Sequence, residues 1–310
     1  MISTSLFIYT ESSLHAGVGS TVSVIDLPIQ RERTTQFPIV QGSGIKGALR
    51  SQVKADSESR DAYINLIFGG EDETENGDGS RKKSSYAGAV SVGDARIVLF
   101  PVRSLAGVFV YITCPAVLAR VKRDVPSFPE LKQAVAMDSA LVTGKSAVSA
   151  SNRVVLEEFS FTAQPNSTVD QIALWLANNA LPQTDEYRYW REKLQTSLVI
   201  LHDDAFRDFV QTSTEVVTRV RLDYAKKTVI NGALWTQEAL PSDTLLMSAV
   251  IVRSTRSQVI LNEGQSFSPA SVVGWLHDTS VVPSRIQLGG DETTGSGMVA
   301  LRWHGGQANG

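Results

Sequence analysis

Apolar residues fall into short blocks whose period changes along the chain. Leu6-Phe7-Ile8-Tyr9 is an unbroken apolar run and predicts a first strand over residues 3–10. Phe37-Pro38-Ile39-Val40 predicts a short extended piece, and the turn Gly42-Ser43-Gly44 opens into a helix at residues 48–55 with Ser43 as its cap. Between them residues 11–36 read as a polar, structureless insertion. Loops longer than about 12–15 residues inside a compact domain are usually functional or disordered. Val22, Val24, Ile25, Leu27 and Pro28 offer apolar anchors, so this one is read as functional.

A second helix over residues 60–68 stops at Gly69-Gly70. The run EDETENGDGSRKKSSY (71–86) has neither helical nor strand period and is predicted to be mobile. Residues 87–102 and 107–113, rich in Val, Ile and Phe, predict paired core strands, and Pro115 starts a helix. From 128 to 198 the pattern weakens to one strand, VVLEEFSF, and helical spacing at 169–179 and 187–194. A strand at 198–201 and a helix at 204–211, with Asp203 as cap, lead into residues 214–240.

That stretch alternates Val216, Thr218, Val220 and Leu222 against Val217, Arg219, Arg221 and Asp223, then returns through 228–235 as a hairpin. Two outcomes fit: an ordinary edge ribbon, or a projection that lays a basic or wedging surface on a partner. Residues 245–253 form the cleanest core strand, followed by a helix at Pro269–His277. The end reads as strand (286–288), glycine-rich loop (GGDETTGSG) and strand (298–303), with HGGQANG frayed. Strands and helices interspersed with hairpins predict a single α+β domain.

Composition narrows the class. A chain of 310 residues with 42% hydrophobic content can bury a core without staples. Cys114 is the one cysteine, which excludes an internal disulfide and suits a reducing compartment, so the cytoplasm is expected. With no apolar run of about 18 residues and no leader pattern, the chain is expected neither to span a membrane nor to be secreted. A net charge of −3 argues against nonspecific coating of nucleic acid. The charges are clustered, however: Glu71, Asp72, Glu73, Glu75 and Asp78 against Arg31/Arg33, Lys46/Arg50, Arg219/Arg221 and Lys226/Lys227. Such clusters are either solvated faces or a basic groove hidden by a neutral average.

Gly42-Ser43-Gly44-Ile45-Lys46-Gly47 fits G-x-G-x-x-G, the dinucleotide fingerprint, which needs a buried parallel strand before it and an acid about 20 residues beyond it. The strand before it is short and contains a proline, and Asp56 and Glu58 fall at a polar helix end. Turn glycines fit better, as does a phosphate seat at a helix N-terminus with Lys46 and Arg50 one turn apart. His15, His202, His277 and His304 are scattered, which with one cysteine excludes a structural zinc site. No G-x-S-x-G elbow supports a serine triad. Asp26, by itself, reads as a turn former or cap.

TESSLHAGVG, VIDLPIQRE and PIVQGSGIKGALR resemble the opening motifs of the RAMP superfamily, specifically the repeated backbone subunit of the type III-B (Cmr) CRISPR effector complex. AGAVSVGDARIVLFPVRSLAGVFVYITCP, TEVVTRVRLDYAKKTVINGALWTQEALPSDTLL and IQLGGDETTGSGMVAL agree in order, so the resemblance spans nearly the whole chain. Each piece alone is a weak pattern; together, in register, they are a strong one. The resemblance implies a ferredoxin-like, RRM-related palm with an inserted subdomain, a thumb at 214–240 that presses into the guide–target duplex, and a glycine loop within 286–303. Such a sheet offers a surface for single-stranded RNA.

By the same resemblance Asp26 corresponds to the residue that cuts target RNA. The RNA 2′-hydroxyl is the nucleophile, so the protein must chiefly splay one nucleotide into in-line geometry and help move charge. Asp26 would hold a hydrated Mg²⁺ or Mn²⁺ against the scissile phosphate, the preferred role, or accept the 2′-hydroxyl proton. His15 and Glu238 are secondary catalytic candidates. His15 titrates in the useful range but equally suits packing or a guide contact, and Glu238 equally suits capping or pairing with an arginine. The RNA-binding set is Gly42, Ser43, Gly44, Lys46, Gly47, Arg50, Arg219, Arg221, Gly295 and Gly297.

Implied partners are guide CRISPR RNA, target RNA, copies of the chain in a helical filament and other effector subunits, with no membrane. The implied activity is endonucleolytic cleavage of target RNA at a fixed spacing, with sequence selection left to base pairing. Two rivals remain: a non-catalytic scaffold of the same fold, and a nucleotide-cofactor enzyme at residues 42–47. The second would bind a dinucleotide saturably, whereas RNA binding weakens steeply with salt.

Overall fold

The computed structural model describes residues 1–20, 24–53, 58–75, 81–255 and 267–306. The first part of the chain forms β1 (Ile2–Thr10), β2 (Ile39–Val40), α1 (Gly42–Gln52), α2 (Glu58–Phe68), β3 (Gly70–Glu75), β4 (Arg81–Tyr86), β5 (Val90–Val92), β6 (Ala95–Arg103) and β7 (Phe109–Thr113). The middle forms α3 (Pro115–Asp124), β8 (Ser139–Val142), β9 (Arg153–Leu156), β10 (Phe159–Pro165), α4 (Ser167–Asn179), α5 (Arg188–Ser197), β11 (Leu198–Ile200) and α6 (Asp203–Thr212). The last part forms β12 (Glu215–Leu222), β13 (Val229–Ala239), β14 (Leu245–Val252), α7 (Pro269–His277), β15 (Arg285–Gln287) and β16 (Met298–Gly305).

Twelve strands join in one mixed sheet, ordered β15-β16-β1-β14-β6-β7-β11-β8-β10-β9, with β2 on β6 and β5 on β14. β1 lies between β14 and β16, antiparallel to both. Its neighbouring residues point into different cores. Leu6 and Ile8 pack with Ile45 and Leu49 of α1 and Val272 and Leu276 of α7. Phe7 and Tyr9 pack with Leu118 of α3 and Val169, Ile172 and Leu176 of α4. A strand buried on both faces reads as an unbroken apolar run, which is why Leu6 to Tyr9 shows no alternation.

The double covering corrects one expectation. The sheet does not present an open face to single-stranded RNA, because Phe7, Tyr9, Leu99 and Tyr111 lie beneath helices and are at most 2% exposed. Any RNA must follow loops and the sheet's margins instead.

Several predicted boundaries move for reasons that lie far away in the sequence. α1 begins at Gly42, six residues before the predicted start, with Gln41 as N-cap and Ser43 inside the first turn. The backbone N–H of Gly42 donates to Asp94 Oδ1 at 2.9 Å, so the cap comes from the turn between β5 and β6. A side chain at position 42 would run into the carbonyl of Val92, so only glycine lets the helix start so close to that strand. The end of the predicted helix, residues 54 and 55, lies outside the described residues.

The run 71–86, predicted to be without regular structure, pairs as the ribbon β3–β4, with Glu73 opposite Lys83 and Glu75 opposite Arg81. Residues 76–80 of that run lie outside the described residues, as do the last four of the tail predicted to fray. VVLEEFSF is two strands, not one: β9 and β10 fold back antiparallel at Glu157, whose φ is 50°.

Gly42→Ala is expected to lower stability by about 1–3 kcal/mol through overpacking against β5. Gly47→Ala, whose added carbon meets nothing within 4 Å, is expected to raise it by up to about 1 kcal/mol through helix propensity. Urea unfolding of the two variants beside the parent chain checks both signs.

Candidate functional site

Residues 11–36 are stapled to β13 rather than structureless. Leu14 and Leu240 exchange two backbone hydrogen bonds of 2.9 Å. Gly17 bridges Ile29, and Leu27 lies parallel to Gln237. In that parallel bridge Leu27 N donates to Thr236 O and Glu238 N donates to Leu27 O, each at 3.0 Å. The insertion thus borrows the edge of a strand some 210 residues downstream, a pairing with no local signature. Its anchors are Leu14, Ala16, Ile29 and Phe37, all buried. Of the predicted anchors, Val24 is 97% exposed, Ile25, Leu27 and Pro28 are half-buried, and Val22 lies outside the described residues.

This staple fixes Asp26 at the surface. Its backbone N–H donates to Thr236 Oγ1 at 3.0 Å, and its Oδ2 accepts from Thr236 N at 2.7 Å and from Thr236 Oγ1 at 2.9 Å. The backbone and then the hydroxyl of Thr236 hold the carboxyl below its ordinary pKa. The group is therefore an anion at neutral pH and a weak proton acceptor. Among the described residues nothing hydrogen-bonds to Oδ1, which leaves that oxygen for a ligand.

Glu238, two residues further along β13, is occupied. Its Oε1 accepts from Arg31 Nη2 at 2.5 Å and Thr214 Oγ1 at 2.8 Å, and its Oε2 accepts from Ile29 N at 3.0 Å. Arg31 also donates to the carbonyls of Gln36 and Val210. Of the two roles its sequence context allows, this geometry is the arginine pair. Glu238 is a positioning residue that ties the insertion to β13, and with both oxygens engaged it is badly placed for proton transfer.

His15 sits beside the same strand. Its Nδ1 lies 2.6 Å from the carbonyl oxygen of Glu238, and since a carbonyl only accepts, Nδ1 carries the proton and Nε2 is the free nitrogen. The glycine loop closes over it: Gly290 N donates to His15 O at 3.0 Å, and Gly289, at φ 83°, has no room for a side chain against that oxygen. His15, Leu27, Arg219, Trp235, Gln237 and Asp291 line a cleft of about 420 Å³. Arg219 Nε donates to Gln237 Oε1 at 3.1 Å, and Gln237 in turn donates to Asp291. Asp26 is not among the residues lining this cleft.

Thr236, Gln237 and Asp291 are missing from the sequence-derived set. Threonine and glutamine on a strand carry no distinguishing signal; Asp291 has one, an acid among glycines with a left-handed φ of 61°.

The predicted phosphate seat on α1 is largely spoken for. The Gly42 N–H is bonded to Asp94, Lys46 Nζ donates to Val90 O at 2.9 Å, and Arg50 donates to Gly69 O and to Asn65 Oδ1. Burial, then the neighbouring Arg50 charge, lowers the Lys46 pKa. Ser43, Gly44 and Gly47 stay exposed on the outer face of the helix. Gly295 is open, whereas a side chain at Gly297 would overlap the Leu288 carbonyl, so Gly297 serves the loop itself.

β12 and β13 form a two-stranded sheet of their own, apart from the main one. Val216, Val220 and Leu222 are about half exposed, Leu234 is 64% exposed and Tyr224, at the tip, 98%. The apolar residues of this hairpin are thus not core; Arg221 is exposed among them.

The profile of the RAMP superfamily matches residues 7–299. The chain belongs to the RAMP superfamily. It is 37% identical to the CRISPR system Cmr endoribonuclease Cmr4 of Pyrococcus furiosus over 305 residues, 95% of this chain and 93% of the relative. The crystal structure of oligomeric Cmr4 from Pyrococcus furiosus superposes with a TM-score of 0.69 at 29% identity over 98% of each chain. A chain of the type III-B Cmr-beta complex bound to cognate target RNA shares the fold, with a TM-score of 0.68 at 22% identity over 98% of this chain and 97% of that one. Both the Asp26–Thr236 contact and the closure of the glycine loop over His15 lie inside the RAMP match. No helix among the described residues of this RAMP protein is long and apolar enough to cross a membrane.

Because Glu238 is 3% exposed and Arg31 is half-buried, removing the carboxylate leaves a partly desolvated guanidinium without its counter-ion. Glu238→Ala is expected to lose about 3–5 kcal/mol of stability. Arg31→Ala with Glu238→Ala should lose less than the sum of the single changes, as a double-mutant cycle by urea unfolding will measure.

Proposed function

We propose that this chain is the repeated backbone subunit of a type III-B (Cmr) RNA-guided effector. It binds guide CRISPR RNA as a helical filament with copies of itself and other subunits, and cleaves complementary target RNA at regular intervals. The observation that carries the reading is the Asp26 carboxylate, presented at the surface by a stapled insertion, in a chain 37% identical to a protein named Cmr endoribonuclease. A cytoplasmic site of action is part of the same proposal.

The finer architecture follows the same reading. Strands β16-β1-β14-β6, all antiparallel neighbours with α1 and α7 on one face, suit a ferredoxin-like, RRM-related palm. The part from β7 to β11, with α3, α4 and α5, is the inserted subdomain, and β12–β13 is the thumb. Its exposed Val216, Leu222, Tyr224 and Leu234 suit a wedge against bases, where stacking and apolar contact tolerate any sequence. The open outer face of α1 at Ser43, Gly44 and Gly47, together with Arg219, Arg221 and Gly295, is the proposed track for the RNA backbone.

The reaction needs little from the protein, because the substrate carries its own nucleophile. The 2′-hydroxyl oxygen attacks the adjacent phosphorus, the bond to the 5′-oxygen breaks, and the proton leaves the 2′-oxygen while another reaches the departing 5′-oxygen. Holding the nucleotide in line supplies most of the acceleration. Asp26, kept ionised by Thr236, is better suited to electrostatic work than to taking the proton, since a general base works best with a pKa near the operating pH.

Among the described residues no group of three or more His, Cys, Asp or Glu side chains could hold a metal ion. Asp26 Oδ1 fits as a single protein ligand for a hydrated Mg²⁺ or Mn²⁺ whose other ligands are water and the RNA phosphate. Such an ion would relieve the charge that builds on the phosphate. His15, through Nε2, is a secondary proton carrier or a guide contact. The scaffold reading shares every feature except the cut.

Asp26→Ala in the assembled complex is expected to slow target cleavage by about 10²–10⁴-fold with RNA binding unchanged, and chelator to slow only the parent complex. Equal cutting by the two complexes would leave the scaffold. Thr236→Val keeps the backbone donor but removes the hydroxyl that adds to it in holding the Asp26 pKa down, so the acid limb of the pH–rate profile should move part of the way to higher pH. Thr236→Ser should return it. The parent carboxylate loses its charge only as pH falls below the ordinary carboxylate range.

A further inference from the structure

Arg302, on β16, is the one charged side chain among the described residues with a solvent-excluded nitrogen, Nε, that meets no hydrogen-bond partner. Among the same residues its guanidinium makes no ion pair. It borders a cleft of about 660 Å³, walled by Glu186, Tyr187, His277, Arg285 and Trp303, in the turn before α5 and at the ends of α7, β15 and β16. None of these residues lines the cleft that holds His15.

The other cation of the wall is satisfied. Arg285 Nε donates to Glu11 Oε1 at 2.9 Å and meets Tyr187 Oη at 3.0 Å. His277 and His304 cannot answer Arg302. Burial, then the Arg302 charge itself, lowers the pKa of both, so each is neutral at neutral pH. A guanidinium does not shed its proton in a protein. Its charge therefore stands uncompensated in a partly desolvated place, an arrangement that weakens the free chain unless a counter-anion arrives from outside.

Beside it, a sheet edge is open. β15 pairs with β16 only from Met298 to Ala300, and Leu301 N reaches Ser284 O at 2.8 Å. β1 follows β16 on its other side as far as Gly305. Past Leu301 the outer edge of β16 carries no strand among the described residues, and its backbone groups are available for pairing. Trp303 stacks on His277 with centroids 5.2 Å apart and planes at 27°, a flat wall along that edge.

The charge pattern selects the occupant. Glu186 lines the same cleft and Glu11, bound to Arg285, stands behind its wall, which disfavours a polyanion, while one unpaired guanidinium beside a free strand edge matches one carboxylate on an extended chain. We propose that this cleft docks an extended segment of a protein partner that carries a single carboxylate among apolar residues, whose main chain adds to the edge of β16 and whose carboxylate forks onto Arg302.

The test uses the full chain and a fluorescent valine–threonine peptide with one central Glu, read by anisotropy, against the same peptide with Gln in its place and a single-stranded RNA oligonucleotide. The Glu peptide is expected to bind at least about tenfold more tightly than the Gln peptide. Arg302→Gln should erase the difference, Arg302→Lys should restore part of it, and RNA should not compete. Absence of Glu-peptide binding, equal binding of the two peptides, indifference to Arg302→Gln or displacement by RNA would each overturn the proposal. Arg302→Met, which keeps the apolar stem and removes the charge, should raise the Tm of the free chain. A lower Tm would mean that the guanidinium is already compensated internally, and would overturn it too.

Discussion

The structure turns on the seam between residues 26–31 and β13. Two backbone hydrogen bonds at Leu27, the clasp of Glu238 on Arg31 and Ile29, and the triple contact of Asp26 with Thr236 all lie within a few residues of one another. Without the seam the insertion would be a long polar loop with large closure and ordering entropy. With it, an acidic side chain is held against β13 through one oxygen, and among the described residues the other accepts no hydrogen bond. The same strand continues into the exposed hairpin, so the carboxylate and the hairpin are placed by one element.

That economy explains the division of chemical labour along β13. Position 236 faces Asp26, and position 238 faces the half-buried Arg31. Position 237 turns the other way, toward Arg219, Asp291 and the cleft that holds His15. Successive side chains of a strand point to opposite faces, so adjacent residues can serve two microenvironments without competing. Glu238, which sequence context leaves open between chemistry, capping and arginine pairing, has both oxygens engaged by Arg31, Thr214 and Ile29 in the free chain.

How much was legible in the sequence follows from which interactions are local. The strand at Leu6–Tyr9, the helix at Pro269–His277 and the strand–loop–strand ending are set by short-range apolar period and glycine placement, and they appear where the pattern puts them. The start of α1 is misplaced because its cap, Asp94, comes from another turn. The β3–β4 ribbon has no apolar alternation in its sequence, so no strand period marks it. Asp26 was reached through family motifs, and nothing local marks Thr236 as its partner. The apolar anchors were misassigned for the same reason: Ile29 and Phe37 are buried by elements far along the chain, whereas Val24 faces solvent.

On the proposed reading a solitary carboxylate is a sparse active site, and the reason it would suffice lies in the substrate. When the attacking oxygen belongs to the RNA, the catalyst need not generate or deliver a nucleophile, and the barrier that remains is geometric and electrostatic. Geometry is best enforced by several protomers gripping one duplex, a job for exposed apolar hairpins rather than for polar side chains clustered in a pocket. Electrostatics then needs one well-held anion per cut. A pKa lowered by fixed hydrogen bonds keeps that anion charged in the free chain, and it leaves a margin against the upward pull that an approaching phosphate exerts.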